Sequence, residues 1–373
     1  MILNKNLSFL VICFGLFSCK KENPIAIKPV EIANKMVLIY VAANNNLKYD
    51  ALISINKMEQ GANDLGGNLL VFIKTNSNTS YLLKIKHDEG DKIVSDTIKT
   101  YSYQNSSDPE FLKEVIKDSR QLSPAKSYAL VMWSHATSWV PPAALKTKSF
   151  GYDNDQEMDI LDFKNAIPSD FEYIMFDACS MGSLEVVYEL KDKAKYILSS
   201  PSEILSNSFP YDKITPYLFG DVDDYKLICK KFIEYYSSQS GLAASATVSL
   251  IQTKELEQLA IFTKMLLSDL PRIKKDYNIN LVQRMDFDKQ TVVKAYDFLS
   301  FFEQNFALEH SNNIKNQLDK TIVFKGHTTN FFNTPINTFS GLSIYLPVQN
   351  DRYQNYYSKL SWYTAAGWNN LFY

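Results

Sequence analysis

Two residues in this chain, a cysteine and a histidine, combine a reactive side chain with a setting that suits chemistry, and each stands at the end of a short apolar run. Tyr173-Ile174-Met175-Phe176-Asp177-Ala178-Cys179 reads as a strand that ends in a thiol and opens over Gly182 into a helical stretch from Ser183 to Leu190. Earlier in the chain, Tyr128-Ala129-Leu130-Val131-Met132-Trp133-Ser134 ends in His135. A thiol attacks as thiolate, and a helix N-terminus together with a nearby histidine favours that form; both are expected at Cys179. Histidine titrates in the range needed to pass a proton to a leaving amine, and backbone N–H groups at a strand-to-helix turn can hold a developing oxyanion. The reaction class is acyl transfer: peptide-bond hydrolysis through a thioester. The plainer alternative is a core cysteine at a strand end and a histidine that is merely hydrogen-bonded.

The elements that must position this pair follow from the pattern of apolar residues. Continuous apolar runs without alternation are the mark of strands buried on both faces of a parallel sheet, and sites form where the carboxyl ends of such strands give out. Strands are expected over 36–43, 68–74, 128–134, 173–179, 196–200 and 246–251. A hairpin is expected from Tyr81–Ile85 and Lys92–Thr97 around Glu89-Gly90-Asp91. Helices are expected after Asn44-Asn45-Asn46, with Ala51, Leu52, Ile55 and Met58 on one face, and after Asp108-Pro109, where a cap and a first-turn proline coincide. Further helices fall over 159–167, 223–237, 254–270, 292–306 and 312–324, and one more strand over 341–346. The repeated strand-then-helix order predicts a doubly wound α/β fold, a mostly parallel sheet with helices on both faces. Between the two site strands, the proline-broken stretch 139–150 reads as an exposed loop, and the acidic run Asp153, Asp155, Glu157, Asp159 as a solvated one.

Trp133-Ser134-His135 and Asp177-Ala178-Cys179-Ser180-Met181-Gly182 resemble the clostripain-type cysteine peptidases, family C11. Ala42-Ala43-Asn44-Asn45-Asn46-Leu47 and Gly341-Leu342-Ser343-Ile344-Tyr345-Leu346-Pro347 match that family's first and last landmarks. The resemblance implies a caspase-like three-layer sandwich with a mainly helical C-terminal region. It implies a catalytic dyad on His135 and Cys179, with the backbone N–H groups of Ala136 and Cys179 as oxyanion donors. Asp177 matches the acidic residue on the floor of the family's pocket for arginine or lysine; the plainer alternative is a carboxylate that caps the following helix turn. Self-cleavage in the loop between the catalytic strands would fall at Lys146 or Lys148. Some family members need calcium, but 153–159 lacks the glycine and closing glutamate of an EF-hand loop, so no metal ligands and no cofactor are assigned. Two departures stand out: Ala136 replaces the glycine usual after the histidine, and no acidic residue lies near Asn207, where basic-specific members often carry one. The first keeps open an alternative, a catalytically impaired surface lipoprotein of the same fold that binds peptides or a partner.

The N-terminus carries Lys5, an apolar stretch from Leu7 to Phe17 that is too short to span a bilayer, and then Leu16-Phe17-Ser18-Cys19. That ending resembles the lipobox of bacterial lipoproteins, which implies cleavage before Cys19 and its lipidation. Lys20-Lys21 then favour the outer membrane or cell surface. Of four cysteines this leaves Cys179 and Cys229 in an exported protein, Cys229 on the apolar face of a helix. The chain divides accordingly into a signal peptide (1–18), a tether (19–35), a catalytic domain (36–251) and a C-terminal helical region (252–373). With 39 Lys and Arg against 41 Asp and Glu and no basic stripe, nucleic acid is not an indicated partner. A peptide or protein substrate is, together with the membrane through the N-terminal lipid.

Overall fold

The protein is described here from a computed structural model covering residues 31–141, 150–153, 156–268, 277–287, 294–346 and 352–371. Cys19, Lys146, Lys148 and Asp155 therefore lie outside the described residues. The elements run β1 (Ala33–Ala42), α1 (Lys48–Gln60), β2 (Asn68–Lys74), β3 (Thr79–Lys84), β4 (Asp96–Ser102), α2 (Pro109–Leu122) and β5 (Ala125–Trp133). They continue with α3 (Ile160–Ala166), β6 (Phe171–Asp177), α4 (Leu184–Glu189), β7 (Ala194–Ser199), α5 (Tyr211–Ile214), α6 (Val222–Ser237), β8 (Thr247–Gln252) and α7 (Leu256–Ser268). The C-terminal part holds β9 (Ala295–Asp297), α8 (Phe298–Asn305), α9 (Leu308–Thr321), β10 (Ile322–His327), a two-residue hairpin pair β11 (Asn330–Phe331) and β12 (Thr334–Pro335), β13 (Ser343–Tyr345), α10 (Gln354–Tyr357) and α11 (Ser361–Ala365).

Nine strands form one sheet in the order β10-β8-β7-β6-β5-β1-β2-β3-β4. Strands β2, β1, β5, β6 and β7 are parallel, and the outer strands on either side join antiparallel. Alternation resolves each continuous apolar run into two faces. Leu38, Tyr40, Met132 and Phe176 pack on one face with Phe111 and Leu112 of α2, Phe163 of α3 and Val187 of α4. Val37, Ile39, Val131 and Met175 pack on the other with Ile55 and Met58 of α1 and Ile228 and Phe232 of α6. The result is the three-layer, caspase-like α/β sandwich. Helix α2 starts where its cap requires: Asp108 accepts the Phe111 N–H and Pro109 opens the first turn.

Four expectations need correction. The apolar end of the stretch 312–324 is not helix: Ile322-Val323-Phe324 opens β10, which pairs with β8 at the edge of the sheet, and a run this short and β-branched fits strand as well as helix. The strand expected over 341–346 is shorter, β13 at Ser343–Tyr345, and it pairs with β9. In the hairpin the ladder begins at Lys84 and Asp96, because buried Glu59 of α1 accepts the N–H groups of Val94 and Ser95 and holds the connection outside the sheet. The stretch 139–150 is not simply exposed, since Trp139, Val140 and Phe150 are buried; Trp139 packs among Tyr345, Tyr353 and Tyr357. Ile32–Tyr373 makes one compact unit, to which the C-terminal region contributes β10. No helix among the described residues is long and apolar enough to cross a membrane.

Candidate active site

The register of β5 against β6 decides where the two reactive residues fall. Trp133 pairs with Asp177, the last residues of their strands, and the Ser134 N–H donates to the Asp177 carbonyl at 3.3 Å. His135 and Cys179 each follow two residues beyond that pair. Parallel neighbours run about 5 Å apart, so equal overhangs bring the backbones of His135 and Cys179 to adjacent positions at the carboxyl edge of the sheet. The loops that carry them are also tied together beyond the pair, by a 2.7 Å hydrogen bond between the Ser138 and Ser183 hydroxyls.

On the cysteine side the chain turns sharply. Ser180 adopts a left-handed backbone (φ 61°), its N–H donates to the Ser202 carbonyl and that of Gly182 to the Ser200 carbonyl, both at 2.8 Å. A Cβ on Gly182 would stand 2.6 Å from the Pro201 nitrogen, so no larger residue fits this close approach. The segment pinned there reaches the nucleophile: the Ile204 N–H donates to Cys179 Sγ at 3.3 Å. The thiol in turn faces the Ile204 carbonyl at 3.6 Å, so the backbone of one residue holds the sulfur through both its donor and its acceptor. The helix expected to favour the thiolate starts five residues beyond Cys179: α4 is six residues long, opens at Leu184, and is capped by Ser183, whose side chain accepts the Val186 N–H.

On the histidine side, the His135 carbonyl accepts the Gly151 N–H at 2.9 Å and His135 Nε2 bonds Asn46 Oδ1 at 2.8 Å. Ala136 sits in an antiparallel bridge with Phe150, its φ lies outside the left-handed region, and its N–H donates to no acceptor among the described residues. The glycine-to-alanine departure therefore carries no conformational cost at this backbone. Strain is instead at Ser138 and Ser208, with φ of 64° each, and at Ser180.

Two buried aspartates flank the pair. Asp177 Oδ2 accepts from the Ser208 hydroxyl, from the Tyr211 hydroxyl at 2.9 Å and from the Phe209 N–H at 3.4 Å, and Trp133 Nε1 donates to the same Ser208 hydroxyl. Burial outweighs these donors and pushes the Asp177 carboxyl up to about 6. Among the described residues no Lys or Arg forms an ion pair with this carboxylate. Asp153, read from sequence as solvated, is fully buried and forms a 2.9 Å ion pair with Lys74. It also accepts from Asn44 Nδ2 at 2.6 Å and from the Ser106 N–H and hydroxyl. Burial alone would raise this carboxyl, but the hydrogen bonds from Asn44, the Ser106 backbone, Lys74 and the Ser106 hydroxyl hold it below the ordinary carboxylate range.

Of the rest of the 153–159 run, Asp159 is also committed: it caps α3 and accepts the Tyr356 hydroxyl at 2.6 Å. Among the described residues no three His, Cys, Asp or Glu side chains gather as a metal-ligand set. Asn207 is exposed, and Cys229 is fully buried, with burial pushing its thiol well above the ordinary range. Asn46, Ile204, Ser208 and Lys74 were not foreseen as parts of this site.

A cysteine and a histidine on adjacent strand ends of a three-layer α/β sandwich define a cysteine peptidase of caspase-like fold. Residues 39–372 match the model of the clostripain family, peptidase C11, and the chain belongs to that family. It is 30% identical to an inactive zymogen C11 protease from Parabacteroides distasonis, with a TM-score of 0.78 over 90% of this chain and 99% of that one. It is 27% identical to a secreted C11 cysteine protease from Bacteroides thetaiotaomicron solved with an irreversible peptide inhibitor, with a TM-score of 0.79 over the same shares. Clostripain from Hathewaya histolytica is 23% identical, matched over 90% of this chain and 79% of that protein.

Proposed function

We propose that the protein is an exported, lipid-anchored endopeptidase in which Cys179 attacks the scissile carbonyl and His135 moves the proton. The S–H proton passes to the imidazole, sulfur bonds the carbonyl carbon, and the oxyanion is received by the N–H groups of Ala136 and Cys179. Collapse breaks the C–N bond, the amine leaves with the proton from His135, and water then hydrolyses the thioester. The observation that carries this reading is the paired strand end, Trp133 against Asp177, with equal overhangs to His135 and Cys179. The Ala136 N–H, which donates to no acceptor among the described residues, supports it; a catalytically impaired binder of the same fold is the rival reading, and labelling of Cys179 decides between the two.

Asp177 is the pocket carboxylate in this reading. A buried carboxylate with no ion pair among the described residues suits a substrate lysine or arginine before the scissile bond. With Asn207 uncharged, a single carboxylate serves that side chain, so the preference for basic residues is weaker than two carboxylates would impose. Cys19 is taken as the lipidated residue, Lys146 or Lys148 as the self-cleavage point. The test is rate of labelling by a peptidyl electrophile at neutral pH: the wild type reacts at Cys179 and Cys179→Ala does not react. Labelling that persists in Cys179→Ala, or that maps to Cys229, overturns the mechanism. For the anchor, Cys19→Ala should move the protein from the membrane to the soluble fraction; equal partitioning of both forms removes the lipid from the proposal.

A further inference from the structure

The three asparagines of the turn after β1 have three different tasks. Asn44 donates to the buried Asp153 carboxylate at 2.6 Å. Asn45 donates to the Tyr152 carbonyl at 3.1 Å, while its own Oδ1 accepts the Leu47 N–H at 2.9 Å. These bonds fix the turn to the segment that follows the loop between the catalytic strands, and through Asp153 to Lys74. Asn46, the last of the three, is exposed, caps no helix, and places Oδ1 2.8 Å from His135 Nε2. Its neighbours hold the backbone in place. Its side chain is left for the histidine.

We propose that Asn46 is a positioning residue for the proposed dyad, holding His135 in the tautomer and orientation that exchange a proton with Cys179 through Nδ1. This inference rests on the reading of His135 and Cys179 as the catalytic pair. A neutral imidazole has one N–H and one basic nitrogen, and the bond made by one decides which is the other. An amide oxygen facing Nε2 selects the Nε2–H tautomer, so Nδ1 carries the lone pair. When the thiol proton arrives at Nδ1 the ring becomes cationic and Nε2–H stays on Asn46 Oδ1, a hydrogen bond that strengthens with the charge. Asn46 thus stabilises the imidazolium that accompanies the thiolate without touching substrate.

The experiment measures alkylation of Cys179 by iodoacetamide, a neutral probe, as a function of pH in the full-length protein and three variants. Asn46→Leu, which removes the acceptor from an exposed position, should lower the rate at pH 7 by roughly ten- to a hundredfold. It should also move the alkaline limb, where the imidazolium loses its proton, to lower pH. Asn46→Asp keeps an acceptor and adds a charge, so it should restore most of the rate and move that limb to higher pH. A purely structural role would change the rate in both variants without opposed shifts of the limb. His135→Ala separates the two levels of the argument. If it alkylates like the wild type, the dyad itself falls. If it is slow while both Asn46 variants keep the wild-type profile, the dyad stands and the role of Asn46 falls.

Discussion

Asp153 and Asp177 are both buried and both take several hydrogen bonds, yet among the described residues one has a cation and the other does not. Lys74, itself almost fully buried, neutralises Asp153, and that carboxyl is held below the ordinary range. Asp177 faces hydroxyls and one backbone N–H, and its carboxyl rises to about 6. A buried carboxylate with its cation in the fold is a structural joint. A buried carboxylate with no cation among the described residues can take one from a bound molecule, which is why the proposed function gives Asp177 to the substrate. Near neutral pH it is ionised enough to attract a lysine or arginine side chain, while its hydroxyl donors keep it from demanding one.

The largest effect expected is on the Cys179 thiol. Cys179→Ala should reduce peptidase activity to background and His135→Ala should come within reach of that loss, since proton transfer alone contributes on the order of a hundred- to ten-thousandfold. Cys229→Ala, in the apolar face of α6, should keep activity. Mass spectrometry of the same preparations should show two associated fragments with an end near Lys146 or Lys148 in the wild type and an intact chain in Cys179→Ala; an uncut active wild type removes self-cleavage. Breaking the structural joint comes next. Lys74→Met leaves Asp153 buried without its cation, a change that typically costs about 3–5 kcal/mol, whereas pairing it with Asp153→Asn should recover part of the loss. Denaturant melts of the two variants check this, and equal stability of Lys74→Met and wild type would make the joint ornamental.

The strands and the two residues at their ends were legible because long apolar runs have few alternatives and because a cysteine and a histidine at strand ends are chemically conspicuous. The partners were not legible, and for a common reason. Asn46 meets His135 across 89 positions, and Ile204 meets Cys179 across 25 through a backbone N–H that any residue type supplies. Lys74 at the end of a strand looks like a solvated charge until the fold brings Asp153 over it. Likewise Ser208 reads as an ordinary polar loop residue, although its hydroxyl joins Trp133 to Asp177. Short apolar stretches failed differently: Ile322-Val323-Phe324 satisfies both periods, and only the open edge of β8 decides for strand.

A smaller change is expected at the pocket. Asp177→Asn should lower kcat/KM for substrates with lysine or arginine before the scissile bond by roughly ten- to a hundredfold, the worth of one charge-assisted hydrogen bond, and leave labelling of Cys179 by a neutral electrophile nearly intact. In the wild type the same preference should fade as pH drops through about 6, where Asp177 takes a proton, while turnover of uncharged analogues follows the dyad alone. Strict arginine specificity that survives Asp177→Asn would mean that another carboxylate holds the substrate. Glu203 is the first to try next, since it lies beside Ile204 and accepts the Phe287 N–H.

The smallest effect concerns stability, and it sets a third buried carboxyl beside the other two. Glu185 of α4 is fully buried, accepts the Tyr345 N–H at 2.9 Å and the Tyr357 hydroxyl at 2.7 Å, and leaves Oε2 without a partner. Burial, against those donors, raises it from 4.5 to about 7. An acid whose folded value lies above its unfolded one binds more protons when folded, so stability falls as pH rises through that interval. Glu185 and Asp177 together therefore make the protein more stable at pH 5 than at pH 8. Asp153 acts in the opposite direction and in a different window, because its depressed carboxyl contributes stability that is lost only below the ordinary value of 3.8. Thermal melts in the Cys179→Ala background should rise from pH 8 to about 5 and collapse at lower pH. Glu185→Gln keeps an acceptor for both donors and cannot ionise, so it should flatten the upper slope by a few °C and leave the acid collapse in place. An unchanged slope in that variant would assign the neutral-pH loss to Asp177 and make the pocket, not the helix beneath the nucleophile, the part of the site that is least stable when charged.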